Sequence, residues 1–394
     1  MSNLELRGNW NYPTQMRFGA GRIAELAHAC KAASISRPLL ITDAGLADSP
    51  MVAHAIASIE RAGLRAPVFS DIRSNPVASN VDAGLAAYRH GNHDGIIAIG
   101  GGSALDGAKA VALMAGQSRP LWDFEDVGDN WTRASALGIA PVIAIPTTAG
   151  TGSEVGRASV ITDEATHTKK IIFHPKMLPV IVIADPQLTV GLPPHITAAT
   201  GMDALAHCLE AYCAPFYHPM ADGIALEGMR LVKEWLPIAV RDGANLTARA
   251  HMMAAASMGA TAFQKGLGAI HALSHPVGAI YDTHHGLTNA VVIPYVLVFN
   301  RAAIEEKLLR LAAFLGLPAL SFQAVLDWVL ALRRETGIAH TLREIGVGME
   351  RLDELSVMAA ADPTASGNPV PIGVAQCRKL FIACIDGNLD VTPQ

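Results

Sequence analysis

The chain reads as an α/β domain with a mostly parallel sheet, followed by an all-helical domain. Two observations carry that reading. Over the first half, short apolar runs alternate with amphipathic, helix-like segments; after roughly residue 190 strand-like runs become scarce and long Ala-, Leu- and Met-rich stretches take over. The segment between the two regimes, LTVGLPP with Gly191, Pro193 and Pro194, has the composition of a junction. The expected division is therefore 1–190 and 191–394.

The elements follow in order. RPLLITD reads as a buried strand, with the helical MVAHAIASIERAG after it. APVFSDI is strand-like and VASNVDAGLAAYRHG helix-like. GIIAIGGGS is a strand that runs into a glycine turn, and ALDGAKAVALMAG is the helix beyond it. APVIAIPTT and LPVIVIADP complete the strands, the latter closed by Asp185-Pro186. Continuous apolar strands separated by helices imply a sheet covered on both faces, hence parallel pairing. In the second half PPHITAATGMDALAHCLEAY, MADGIALEGMRLVKEWLPIAV, ARAHMMAAASMGATAF and IEEKLLRLAAFLG all carry helical periodicity, while VVIPYVLVF is ambiguous between helix and strand. No internal repeat or low-complexity tract interrupts the pattern.

Composition narrows the function classes. A length of 394 residues with 51% hydrophobic and 16% charged residues provides for sizeable cores and argues against disorder. The net charge of −5, with no concentration of Lys and Arg, gives no footprint for nucleic acid or an anionic membrane surface. The N-terminal MSNLELRGNWNYPTQ lacks a secretory pattern, and apolar runs such as APVIAIP are strand-length, too short to span a bilayer. Cys30, Cys208, Cys213, Cys377 and Cys384 form no metal or redox spacing. A soluble cytoplasmic protein with reduced thiols is expected.

Five residues stand out as candidate metal ligands: Asp203, His207, His271, His275 and His285. Asp203 and His207 are four apart in GMDALAHCLEAY, as are His271 and His275 in GAIHALSHPVG. On a helix that spacing points both side chains of a pair the same way. His285 lies in THHGL, beyond Pro276 and Gly278, which are expected to end the second helix; a loop there would bring a further imidazole to the same point. Imidazoles with one carboxylate suit zinc or iron(II). With 15 His in the chain, such pairs also arise by chance, so spacing leaves both readings open.

Two segments suggest a phosphate-bearing ligand. Gly100-Gly101-Gly102-Ser103 lies between an apolar strand and a helix, where glycines allow close approach and the helix N-terminus offers free N–H groups. Ser103 could cap that helix or bond a phosphate; a plain tight turn has the same composition. Pro146 to Glu154 (PTTAGTGSE) places hydroxyls and glycines at the carboxyl end of another strand, where open α/β sheets bind ligands. Asp43 ends the first strand; it could accept bonds from an adenosine ribose and repel a 2′-phosphate, favouring NAD over NADP, or simply cap the next helix.

Together these pieces resemble the iron-containing (group III) alcohol dehydrogenase family. The resemblance rests on GGGSALDGAK (100–109), PTTAGTGSE (146–154), TAATGMDALAHCLEAY (197–212) and GAIHALSHPVGAIYDTHHG (268–286), in that order, within a likeness running from FGAGRI to NPVPI. It implies a dehydroquinate synthase-like architecture, with an N-terminal dinucleotide-binding α/β domain, a C-terminal helical domain and an active site in the cleft between them. It implies metal ligation by Asp203, His207, His271 and His285, with His275 as a neighbour of metal and nicotinamide and the candidate proton relay. It implies NAD contacts from Asp43, Gly100, Gly101, Gly102, Ser103, Asp106, Thr147, Thr148, Thr151 and Lys169, the last reaching the nicotinamide ribose. The expected activity is reversible, NAD-linked oxidation of a small alcohol, diol or hydroxy acid to an aldehyde or ketone, with iron(II) favoured and zinc acceptable, in a homodimer or larger homo-oligomer. One departure is His284, which stands where the family usually has Pro; it could tune the substrate pocket or offer an alternative ligand. Rival expectations are a maleylacetate- or glycerol-type dehydrogenase or a dehydroquinate-synthase-like lyase on the same fold, or a metal- and nucleotide-binding protein without catalysis.

Overall fold

The computed structural model describes residues 14–392, which separate into two units, one ending at Gly191 and the other beginning at Leu192. In the first unit the order is β1 (Gln15–Phe18), α1 (Leu26–Ala32), β2 (Pro38–Ile41), α2 (Pro50–Glu60), β3 (Val68–Phe69), α3 (Ala78–His90), β4 (Gly95–Gly100) and α4 (Gly102–Met114). Then come β5 (Val142–Pro146), β6 (Ala158–Asp163), β7 (Thr168–Phe173) and β8 (Ile181–Ala184).

Six of these strands form one sheet in the order β1-β8-β5-β4-β2-β3, with every pairing parallel. β2, β4, β5 and β8 are buried at every residue. That is why they read as unbroken apolar runs: a parallel strand has helices on both faces and no solvated side. Ile97, Ile99, Ile143, Ile145, Ile181 and Ile183 form a core with Leu26, Val52 and Ile59 from the covering helices. APVFSDI yields only the two-residue β3. β6 and β7 make a separate antiparallel hairpin that sequence reading missed. Its strands are half-buried and rich in Thr, Asp and Lys, and its turn takes a positive φ at His167 rather than at a glycine.

The sheet places the nucleotide candidates. Ile41 pairs with Ala98 and Gly100 with Pro146. The carboxyl ends of β2, β4 and β5 therefore lie side by side, and the chain leaves them at Asp43, Gly101 and Thr147.

The second unit contains α5 (Pro194–Cys213), α6 (Pro219–Arg241), α7 (Leu246–Ala262), α8 (Ala269–Tyr281) and α9 (His285–Phe314). These are followed by α10 (Phe322–Glu335), α11 (Leu352–Ala361) and α12 (Val374–Asp386). α5 is its axis: every residue from Thr197 to Cys213 is buried, as expected for a helix with apolar or small residues all round. Glycines let its neighbours approach closely. A Cβ at Gly259 of α7 would sit 3.0 Å from the Cβ of His207, and one at Gly286 of α9 would sit 2.4 Å from the Ala199 carbonyl oxygen. The C-terminus of α5 is held by lysines. Lys307 Nζ donates to the carbonyls of Tyr212 (2.8 Å) and Ala214 (3.0 Å), and the buried Lys265 donates to Tyr212 as well, complementing the negative end of the helix.

One open reading is resolved here and three expectations are corrected. VVIPYVLVF is helical and lies inside α9 with Pro294 in its interior, because the surrounding thirty-residue helix outweighs the β-branched composition of that stretch. Pro276 does not end α8, which continues to Tyr281 and stops where Asp282 turns left-handed (φ 52°). His285 consequently lies on no loop but opens α9. Finally, α9 is long and apolar enough to cross a membrane, contrary to the expectation of strand-length runs only, but the burial of 72% of its apolar window marks it as a core helix.

Candidate functional site

The metal candidates converge. Asp203 and His207, one turn apart on α5, and His271 on α8 are buried, and one donor atom from each lies within 4.8 Å of the others. His285, at the first turn of α9, places Nε2 3.8 Å from Asp203 Oδ1, and His207 Nε2 lies 3.9 Å from the same oxygen. Tetrahedral donors about 2.1 Å from an ion lie roughly 3.4 Å apart, so the two distances to Asp203 Oδ1 are within a few tenths of an ångström of that spacing, while the wider separations in the group close further around an ion. The His207 and His271 rings stack with centroids 4.8 Å apart, and His271 and His285 are 5.3 Å apart.

One buried carboxylate sets the tautomer. Glu210 Oε2 lies 2.5 Å from His271 Nδ1, while its Oε1 accepts the Ile270 N–H at 2.6 Å. With Nδ1 donating to Glu210, Nε2 presents its lone pair to the cluster, the arrangement in which a carboxylate fixes a metal-binding imidazole. Burial works against a charged His271, but Glu210, with Asp203 and Asp362 beyond it, outweighs burial and the net direction is upward. Glu210 was not singled out in the sequence, yet a signal was there: Asp203, His207 and Glu210 fall at i, i+4 and i+7, one stripe of α5.

His275 stands beside this group. Its ring stacks on His285 at 5.4 Å and meets His271 edge-on at 5.8 Å. Nδ1 is 2.8 Å from Asp362 Oδ2, which leaves Nε2 as the ring nitrogen not tied to that carboxylate. Burial pushes the Asp362 carboxyl upward, but His275 and the Thr364 hydroxyl hold it below its ordinary value. No local signal pointed to Asp362, since it reaches the site from a turn 87 residues further along. His284 is the N-cap of α9 and its Nδ1 accepts the Leu287 N–H at 3.3 Å, so it does for this helix what Ser or Asn does elsewhere.

The N-terminal unit assembles the nucleotide candidates. Gly100 has φ 152°, and a Cβ there would collide with Ala104 at 2.6 Å. A Cβ at Gly101 would lie 3.3 Å from Thr148, and one at Gly102 would lie 2.5 Å from the Thr151 hydroxyl. The glycine turn and the threonine loop are thus packed face to face, with the Thr147 N–H bonded to the Gly100 carbonyl at 2.9 Å. Gly101 is the N-cap residue of α4 and Gly102 its first residue, which leaves backbone N–H groups at the helix start for an anion. This absence of side chains at a helix N-terminus fits a pyrophosphate. Ser103 instead bonds the Ser74 carbonyl, and Lys169 Nζ bonds Asn75 Oδ1 at 2.9 Å, so both meet the same short segment. Asp43 Oδ1 accepts the Leu46 N–H at 3.1 Å, as a turn cap would.

Asp106 sits differently. It is buried, takes the Ser153 hydroxyl at 2.5 Å and the Val160 N–H at 2.9 Å, and pairs with Lys109 at 3.2 Å. Lys109 is itself buried and donates to the carbonyls of Ser153 and Ala158; burial pulls its pKa down against the opposing pull of Asp106. The pair pins the threonine loop and β6 to α4.

A nucleotide-type turn on a parallel sheet, with an Asp/His cluster in a helical unit, fits an enzyme that uses a nucleotide and a metal ion, and comparison with known proteins gives the class. Residues 13–186 match the sequence model for iron-containing alcohol dehydrogenase, and residues 197–385 match that for the C-terminal part of the Fe-containing alcohol dehydrogenase family. The chain belongs to the iron-containing alcohol dehydrogenase family. It is 40% identical to the 4-hydroxybutyrate dehydrogenase of Cupriavidus necator over 94% of this chain and 98% of that one. It is 35% identical to the NAD-dependent methanol dehydrogenase of Bacillus methanolicus, over 92% and 95% respectively. Among solved structures, a 1,3-propanediol oxidoreductase superposes with a TM-score of 0.91 at 32% identity, over 96% of this chain and 100% of that one. Members of the family are NAD-linked oxidoreductases acting on CH–OH groups, and this chain is an enzyme of that kind.

Proposed function

We propose that the enzyme interconverts a small substrate bearing a primary hydroxyl with its aldehyde, using NAD and iron(II) held by Asp203, His207, His271 and His285. The observation that carries the reading is the convergence of these four side chains, with Glu210 turning His271 Nε2 inward. A divalent ion bound there supplies Lewis-acid polarisation of the reacting oxygen, and NAD supplies the hydride acceptor. His275 is the proton relay: Asp362 fixes Nδ1, leaving Nε2 to take or return the hydroxyl proton. Gly100, Gly101 and Gly102 admit the pyrophosphate against the start of α4; Thr147, Thr148, Thr151 and Ser103 line that turn, Lys169 reaches the nicotinamide ribose, and Asp43 favours NAD over NADP.

The names of the three relatives support a primary hydroxyl, since 4-hydroxybutyrate, methanol and 1,3-propanediol each carry one. The family supports iron, while the donor set would accept zinc. Five buried thiols without a disulfide support a cytoplasmic setting. β1, which pairs only with β8 among the described residues, leaves a sheet edge that supports assembly as a homodimer or larger. The test is NADH absorbance with iron-reconstituted enzyme and a panel of primary alcohols, diols and hydroxy acids. The expected result is turnover of at least one, lost together with bound metal in His271→Ala. Undiminished turnover by metal-stripped enzyme, or none across the panel, overturns the proposal.

A further inference from the structure

We infer that Asn289 is a positioning residue of the metal centre, whose amide holds Asp203, His271 and His285 in convergence before an ion arrives and orients Asp203 afterwards. The inference rests on the reading of those three residues as ligands. Asn289 lies one turn beyond His285 on α9, on the same face, and is fully buried. Its Nδ2 is 2.7 Å from Asp203 Oδ1, 3.1 Å from His285 Nε2 and 3.2 Å from His271 Nε2. One nitrogen therefore touches donor atoms from three different helices, the atoms an ion would need.

The other end of the amide explains why this is not ordinary packing. Oδ1 is buried and accepts no hydrogen bond among the described residues. A buried acceptor left unmade is costly, so nothing at the Oδ1 end accounts for the residue. The reverse orientation would set the amide oxygen against the Asp203 carboxylate, acceptor facing acceptor. The site thus requires a donor at this point. Without an ion, a buried carboxylate and the Nε2 atoms of two imidazoles face one another, and the amide N–H groups are what the carboxylate and an unprotonated Nε2 can bond to. Two N–H groups cannot fully serve three acceptors, so the amide is shared among them and yields readily. With the two imidazoles committed to an ion, the amide would keep its shortest bond, to Asp203 Oδ1, and would fix that carboxylate as Glu210 fixes His271.

The experiment measures metal binding directly. Wild type, Asn289→Ala, Asn289→Leu and Asn289→Asp are stripped of metal and titrated with Co2+ against a competing chelator, the visible spectrum reporting coordination, and the Tm of metal-free and Co2+-loaded protein is recorded. Asn289→Ala and the volume-filling Asn289→Leu are expected to bind one ion with Kd raised about 10- to 100-fold, the range for outer partners of metal ligands, and to show a lower metal-free Tm. Asn289→Asp replaces the donor with a second anion beside Asp203. Its metal-free Tm should fall further, and its rise in Tm on Co2+ binding should exceed that of wild type. A Kd within twofold of wild type in both apolar variants overturns the proposal, as does a metal-free Tm of Asn289→Asp equal to wild type. If instead wild type binds no ion, or His271→Ala binds one as tightly, it is the ligand assignment that fails.

Discussion

Glu210 and His271 form a buried carboxylate–imidazole pair, 2.5 Å apart, that decides which face of the imidazole the metal cluster receives. Glu210 reaches back along α5 to the first turn of α8, so one carboxylate satisfies a helix-start N–H and a ring N–H together. Glu210→Gln keeps the shape but offers only one acceptor oxygen for two donors. Metal affinity should fall about 10- to 100-fold, and Glu210→Ala should lose more, measured as Kd by chelator competition. Unchanged affinity in Glu210→Gln would show that the tautomer is set elsewhere.

Gly286 is where α9 meets α5. A methyl group there would lie 2.4 Å from the Ala199 carbonyl oxygen and 3.0 Å from the Asp203 Cβ, and a helix backbone cannot yield as a flexible side chain can. Gly286→Ala should therefore push the start of α9 outward, taking His285 away from Asp203. A loss of roughly 1–3 kcal/mol is expected for such overpacking, together with weaker metal binding; Tm and metal content check both. Gly191→Ala, which meets nothing within 4 Å, serves as the neutral control.

Asp43 stands at the carboxyl end of β2, next to the glycine turn. Its carboxylate should repel the 2′-phosphate of NADP. Asp43→Gly should lower the ratio of kcat/KM for NAD over NADP by at least tenfold, about 1.4 kcal/mol. Because Asp43 also caps the turn through Leu46, some loss of Tm is expected alongside. A Tm change with no shift in the cofactor ratio would make the cap its only role.

Much of this architecture was legible in the chain because the cause was local. β2, β4, β5 and β8 are buried on both faces, so their apolar runs announce them, and the Asp203/His207 and His271/His275 spacings follow from the helical repeat. What could not be read depends on distant packing. The β6–β7 hairpin has no turn glycine, Asp362 meets His275 from 87 residues away, and α8 runs through Pro276. Proline usually ends a helix because it removes a hydrogen bond and crowds the previous turn; here Ile270, His271, Leu273, Ser274, Val277 and Gly278 are all buried on either side of it, and that packing carries the helix on. His284, which read as tuning the substrate pocket or offering an alternative ligand, also caps α9 through Nδ1, a role that the sequence reading did not anticipate.

Asp106 and Lys109 test whether a residue of the glycine-turn motif serves the cofactor or the fold. Their carboxylate and ammonium are 3.2 Å apart and both are buried, and their remaining bonds go to Ser153, Ala158 and Val160 rather than outward. Removing one charge leaves the other buried without its partner, at about 3–5 kcal/mol. Removing both leaves no uncompensated charge. Lys109→Met alone should therefore lower the unfolding free energy by more than the double variant Lys109→Met/Asp106→Leu, a strongly non-additive cycle. Urea unfolding measures this, with KM for NAD recorded on each folded variant. If Asp106 chiefly contacts NAD, Asp106→Asn would raise that KM while leaving the unfolding midpoint in place; the geometry predicts a large fall in the midpoint, because Asn keeps one acceptor oxygen for the two donors from Ser153 and Val160 and leaves the buried Lys109 without its counter-charge.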